Sequence, residues 1–311
     1  VRRSPTMVVR TFRPRRWFGV LAVAISALVA VVGCGSSKKS STSTSVSTTK
    51  VTKNAKVAAA VPAAVKKKGT LVVAADATYP PNEFIASNGH TVIGMDADLA
   101  ADLTRVMGLK AKVVNATFDA IIPGLAAKKY DLGMSSFTDT KEREKTVDFV
   151  TYLVAGTEFY VKKQGGPTIN TLADLCGHKV AVEKGTTQQD DTTAQVKKCK
   201  SAGKPALKVL VFPDQNGVNL ALSSGRAQVA MADSPVADYI VKKSNGQFKV
   251  VGKVYGTAPY GIAIPKGNGM TKPVLQGLKV LMSNGAYQSI LNKWGIHHFA
   301  IKNPKINGAV S

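Results

Sequence analysis

Cysteine and histidine are scarce in this chain of 311 residues, which holds three of the former and four of the latter. At no point do they take the spacing of a Cys/His metal centre, and there is no HExxH helix, so the sequence offers no metal site. Three cysteines over this length also exclude a small disulfide-stapled scaffold; the chain is long enough to bury a large core and to form two lobes. No glycine-rich phosphate loop stands at a strand-to-helix turn, which removes the usual nucleotide site. The apolar run Trp17 to Val32 has 16 residues, short of the roughly 20 that span a bilayer as a helix. Acidic residues are absent from the first 68 positions.

That last absence explains the charge. The formal balance is +23, but residues 1–68 hold 14 of the 42 Lys and Arg and none of the 19 Asp and Glu, leaving 28 basic against 19 acidic residues in the body. Aromatics make up 6% of the chain and do not interleave with a basic face, so nucleic acid is not an expected partner. The basic start (Arg2, Arg3, Arg10, Arg13, Arg15, Arg16), the apolar run and Gly33-Cys34 read as an export signal. Val31-Val32-Gly33-Cys34 resembles a bacterial lipobox. The expectations are a lipoprotein signal peptide over 1–33, a lipid on Cys34 anchoring the protein to the outer face of the cytoplasmic membrane, and a flexible tether over 34–68. That tether reaches roughly 30 Å as a random coil. Cys176 and Cys199 remain; an exported compartment favours a disulfide between them, with two buried thiols as the alternative.

From Thr70 onward, short β-rich runs alternate with amphipathic stretches, the pattern of an α/β fold with largely parallel sheets. Strands are predicted over 71–75, 111–114, 179–182, 207–212 and 227–232, and helices over 96–107, 118–129, 218–224, 274–282 and 287–294. Two longer β-rich stretches, 149–162 and 254–265, read as crossing strands of a hinge. The division expected is a discontinuous first lobe (69–157 and 256–300), a second lobe (158–255) and a C-terminal tail (301–311). Asp131 to Arg143 runs from a buried strand through hydroxyl residues into a helix start. Asp139 is the predicted N-cap, with Glu142 its box partner. Arg143, one turn inside, would meet a small carboxylate together with free backbone N–H groups.

Several motifs then occur in order: Asp76-Ala-Thr-Tyr79-Pro-Pro, Gly94-Met-Asp96-Ala-Asp98-Leu, Phe118-Asp-Ala-Ile-Ile-Pro-Gly-Leu, Ser135 to Arg143, Gly185-Thr-Thr-Gln188, Gly225 to Asp233, and Gly285-Ala-Tyr287 with Lys293-Trp294-Gly295. Over residues 69 to 300 the chain resembles the polar amino-acid solute-binding proteins of bacterial ABC importers, family 3. Met95, Ala97 and Asn82 depart from the family pattern. The resemblance implies a two-lobed periplasmic-binding-protein-like fold of type II, with two parallel-type sheets, flanking helices and two crossing hinge strands. It implies a monomeric receptor that needs no cofactor, closes on an amino acid and presents it to the transmembrane subunits of a permease. Arg143 would bind the α-carboxylate, helped by Thr138 and the N–H groups of Thr186 and Thr187; Asp233 and the carbonyl of Ser136 would bind the α-ammonium. Tyr79 and Phe118 would hold the side-chain stem. Asp76 and Glu183 are the candidates for its distal end and together favour a basic ligand over a glutamine-like one. Two other readings stand beside it: a cyclohexadienyl-dehydratase-like enzyme, with Glu183 or Asp76 as general acid, and an amino-acid-sensing lipoprotein.

Overall fold

The structure is a computed structural model and describes residues 50–310. Cys34, the signal segment and residues 34–49 of the predicted tether lie outside the described residues.

Residues 51–68 do not behave as a tether. They form two short helices, α1 (Ala55–Ala60) and α2 (Ala63–Lys68), docked on the body. The Asn54 side chain caps α1 at the N–H of Val57 (3.1 Å), and its own N–H reaches the carbonyl of Val106 (2.9 Å). Val51, Val57 and Val61 are buried in the body's main apolar cluster. Average composition concealed them: three valines in an alanine-rich background suffice to pin a helix to an apolar surface.

The first lobe then builds in order: β1 (Thr70–Ala75), the small strands β2 (Thr78–Tyr79), β3 (Glu83–Ile85) and β4 (Val92–Ile93), α3 (Met95–Val106), β5 (Lys110–Asn115), α4 (Phe118–Ala126), β6 (Leu132–Gly133) and α5 (Lys141–Glu144). The long β7 (Val147–Lys162) leads into the second lobe: β8 (Lys179–Glu183), α6 (Thr187–Ser201), β9 (Lys208–Phe212), α7 (Gln215–Ser223), β10 (Val229–Asp233) and α8 (Ser234–Lys243). The long β11 (Phe248–Pro265) returns, and α9 (Thr271–Ser283) and α10 (Ala286–Trp294) pack against α3. The α3 start shows why the chain turns there. Gly94 has φ of 129°, and a Cβ on it would lie 2.2 Å from the carbonyl oxygen of Asn82, so only glycine fits.

The fold is the two-lobed α/β architecture expected, with one refinement. Instead of two separate sheets, a single eight-stranded ladder runs β5-β1-β6-β11-β7-β10-β8-β9. Strands β5, β1 and β6 are parallel in the first lobe, and β10, β8 and β9 in the second. The antiparallel pair β7 and β11 passes through both. Its register slips between Val251 and Tyr255, Tyr255 and Ala258, and Tyr260 and Gly261, the irregularities that let a long ribbon twist between two bodies. Glycine permits this crossing: Gly252 and Gly256 have φ of 73° and 60°, and a Cβ on Gly156 would lie 2.6 Å from the carbonyl oxygen of Tyr255. Apolar residues fill both faces of each half-sheet, as parallel strands require.

Cys176 and Cys199 form a disulfide, tying the start of the second lobe to the last turn of α6. It closes a loop with a sequence separation of 23, which corresponds to roughly 3 kcal/mol in the chain-entropy account. Replacing both cysteines by serine should lower the thermal midpoint; an unchanged midpoint in a calorimetric scan would show that the bridge adds nothing.

Candidate functional site

The named residues converge because each follows the C-terminal end of a sheet strand or opens the helix after it: Asp76 after β1, Phe118 at the start of α4, Ser135 and Ser136 after β6, Glu183 at the end of β8, Thr186 and Thr187 at the start of α6, Asp233 at the end of β10. In an open α/β sheet that edge is where a crevice forms. Here it is a narrow cleft lined by residues of both lobes, with about 300 Å³ of space between the atoms when its open mouth is included. Asp76, Tyr79, Phe118, Ser136, Thr138, Arg143, Glu183, Thr186, Thr187 and Asp233 all line it.

The lobes meet across it. Arg143 donates Nη2 to the carbonyl of Gly185 (2.9 Å) and Nη1 to that of Thr138 (2.9 Å). Lys184 pairs with Asp119 (2.7 Å), the N–H of Gln215 reaches Thr78 Oγ1 (3.1 Å), and the N–H of Asp233 reaches the Tyr79 hydroxyl (2.8 Å). A Cβ on Gly185 would stand 2.9 Å from that of Asp119, so the turn before α6 must be bare for the lobes to approach.

At one end of the cavity stands its guanidinium. The Arg143 guanidinium stands over the Phe118 ring (5.2 Å) and the Phe137 ring (5.6 Å), and the two rings stack at 4.5 Å. Its hydrogen-bonded partners are carbonyls, with no carboxylate among its ion pairs in the described residues. Burial lowers its pKa, although a guanidinium stays charged. Opposite stands the α6 N-terminus, capped by Thr186 Oγ1 at the N–H of Gln189 (3.3 Å). The first-turn N–H groups of Thr187 and Gln188 have no intrahelical acceptor. One local prediction is corrected: the N-cap of α5 is Thr140, whose Oγ1 accepts from the N–H of Arg143 (3.2 Å). Asp139 instead turns inward and accepts from the N–H of Gly308 (2.7 Å), because burial gives its carboxylate no water to replace that donor.

Asp233 occupies the N-cap position of α8 without capping it. Its carboxylate points into the cavity and accepts from Gln188 Nε2 (2.7 Å) and the Tyr260 hydroxyl (2.6 Å). Burial raises its pKa, against those donors and Arg143. Glu183 and Asp76 approach from opposite lobes, each 3% exposed. Asp76 is satisfied by the Thr78 hydroxyl (2.7 Å) and the N–H of Phe118 (3.0 Å). Glu183 Oε1 has no partner. Burial, then the charges of Asp76, Asp214 and Asp233, push the Glu183 carboxyl well up.

Three lining residues were given no site role by the sequence reading: Glu83, and Ser135 and Gln188 within motifs it singled out. Fully buried Glu83 accepts from Ser135 Oγ (3.0 Å) and Ser136 Oγ (3.2 Å). Ser136 sits at φ of 52°, with its N–H on Asp96 Oδ2 (3.0 Å) and its hydroxyl taking a bond from Asn82 Nδ2 (2.9 Å). Burial and the neighbouring Asp96 raise Glu83, and burial raises Asp96 to about 6. The available signals were slight: Glu83 is a lone acid between Asn82 and Phe84, and Gln188 closes the Gly185-Thr-Thr motif. The lining therefore sets one guanidinium, Arg143, against four carboxylates, Asp76, Glu83, Glu183 and Asp233.

The sequence model of the bacterial extracellular solute-binding proteins, family 3, matches residues 71–297. The chain belongs to that family. The arginine-binding protein ArgT of Corynebacterium glutamicum is 33% identical over 252 residues, covering 81% of this chain and 82% of that protein. The L-cystine-binding protein TcyJ of Escherichia coli K12 is 30% identical over 232 residues, 74% of this chain and 84% of that protein. Among solved structures, a variant of ArgBP from T. maritima superposes with a TM-score of 0.69 at 33% identity, covering 75% of this chain and 97% of that one. These named relatives are binding proteins. Among the described residues no helix is long and apolar enough to cross a membrane.

The acid cluster sets a pH dependence. A carboxyl whose folded pKa lies above its unfolded value contributes stability that is complete below the unfolded pKa and is lost as pH rises through the folded one. Asp96, raised to about 6 from 3.8, and Glu183, raised above 4.5, both have that sign. The ligand-free protein should therefore lose thermal stability as the pH rises from about 4 through about 6 and onward, and Glu183→Gln should flatten the decline. A midpoint that rises over that interval would contradict the assignment.

Proposed function

We propose that the protein is an extracytoplasmic receptor that closes on an amino acid with a cationic side chain and delivers it to the transmembrane subunits of an ABC permease. One observation carries the preference: Asp76 and Glu183 face each other from opposite lobes, desolvated, with no cation between them in the described residues. A guanidinium or ammonium bound there would be paired with charge from both lobes at once, and its binding would draw the lobes together. Arg143 with the α6 N-terminus takes the α-carboxylate, and Asp233 with the Ser136 carbonyl takes the α-ammonium. Tyr79 and Phe118 flank the stem. The name of ArgT agrees with this preference; the glutamine-binding protein GlnH of Bacillus subtilis, 31% identical over 207 residues, marks the neutral alternative.

Binding rather than turnover is the reading adopted: of the four histidines, His90, His178, His297 and His298, none lines the cavity. A lipid on Cys34, the monomeric state and the permease complete the proposal.

Titration calorimetry with L-arginine, L-lysine, L-ornithine and L-glutamine decides it. Arg143→Ala should weaken every one of them, by roughly 2 to 5 kcal/mol, since a buried carboxylate is left unpaired. Glu183→Gln should weaken the cationic ligands at least tenfold, about 1.4 kcal/mol, while sparing glutamine. Equal losses for arginine and glutamine would remove Glu183 from the distal end, and recovery of a chemically altered ligand would favour an enzyme.

A further inference from the structure

Arg143 belongs to a helix of four residues, Lys141–Glu144. One turn cannot hold its own geometry, because nucleating a helix costs more than its first hydrogen bonds return. Something outside α5 must fix it, and the C-terminal segment, beyond the family match that ends at residue 297, is in position. Residues 300–309 run antiparallel along the edge of β7, where β10 covers the same strand in the second lobe. Leu153 bridges Ala300, and Val150 bridges Ile306. The N–H of Thr151 donates to the Lys305 carbonyl (2.9 Å), and the N–H of Lys305 donates to Thr151 Oγ1 (2.8 Å). Asn307 exchanges bonds with Phe149, its N–H reaching the Phe149 carbonyl (3.0 Å) and its Oδ1 accepting from the Phe149 N–H (2.8 Å). So registered, the segment delivers two successive amides to α5. Gly308 donates to Asp139 Oδ2 (2.7 Å) just before the helix, and Ala309 donates to Glu144 Oε1 (3.2 Å) on its last residue.

We propose that residues 300–309 are a clamp that positions Arg143: the amides of Gly308 and Ala309 hold the carboxylates on either side of α5 and so keep the guanidinium aimed into the cavity. Asp139 and Glu144 are positioning residues; neither lines the cavity. Asp139 is fully buried, and its N–H is tied to the Pro259 carbonyl (2.8 Å) on β11. The clamp therefore joins the carboxylate-binding arginine to both hinge strands. The inference rests on the receptor reading for its ligand consequences, but not for its structural ones.

The test uses the full chain, the variants Asp139→Ala and Asp139→Asn, and a chain ending at Lys302. L-arginine is compared with agmatine, its counterpart without the α-carboxylate, and hydrogen exchange is followed across residues 138–145 without ligand. Asparagine keeps an oxygen acceptor for Gly308 while losing the charge. Asp139→Ala and the shortened chain should lower the arginine-to-agmatine affinity ratio about tenfold and speed exchange across 138–145; Asp139→Asn should stay within about twofold of the parent. A ratio unchanged in both disrupted proteins, or an asparagine variant as impaired as alanine, would overturn the clamp. If the parent binds no amino acid, the receptor reading fails and the exchange decides the clamp alone: unchanged exchange in the disrupted proteins overturns it, faster exchange supports it.

Discussion

Too much negative charge is buried between the lobes for the charge the protein itself supplies. Asp76, Glu83, Glu183 and Asp233 share the cavity with one arginine, and an unpaired buried carboxylate is costly enough that it keeps its proton or finds a cation. Hydroxyls, amides and a glutamine absorb part of the cost at Asp76, Glu83 and Asp233. Glu183 is left with one oxygen unpartnered. The rest of the site can be understood as support for this imbalance. The sheet ends bring the acids together, the bare Gly185 lets the lobes meet, and Arg143 is the one guanidinium among the lining residues.

Each lobe brings groups of both signs to the cavity. The first supplies the arginine, Asp76 and the buried Glu83–Asp96 pair behind the strained Ser136; the second supplies a helix terminus, Glu183 and Asp233. In the proposed reading neither lobe alone surrounds a zwitterion, since each subsite draws one half from each lobe: Arg143 and the α6 N-terminus, Ser136 and Asp233, Asp76 and Glu183. On the proposed function, ligand binding and closure are one event, with the glycine-marked crossing of β7 and β11 as its hinge.

Much of this was legible in the sequence, and for local reasons. Buried parallel strands announce themselves as short apolar runs, so Leu71 to Ala75 and Ala227 to Ala232 stood out. Many of the cavity-lining residues were legible because strand ends are followed by distinctive turns, Gly185-Thr-Thr among them. What stayed hidden depends on contacts distant in sequence. Val51, Val57 and Val61 look like linker until α3 and α9 offer them a surface. Asp139 looks like a helix cap until Gly308 arrives from 169 residues away. Glu83 and Asp96 are ordinary acids until the fold buries them side by side.

If a cationic ligand takes the place of the protons held by the buried carboxyl groups, arginine binding must expel protons. Calorimetry of L-arginine binding near pH 6, repeated in buffers of different ionisation enthalpy, counts them directly. The account predicts net proton release that shrinks as the pH rises toward 8, with affinity rising over the same interval. Binding with no proton exchange, or with proton uptake, would contradict it.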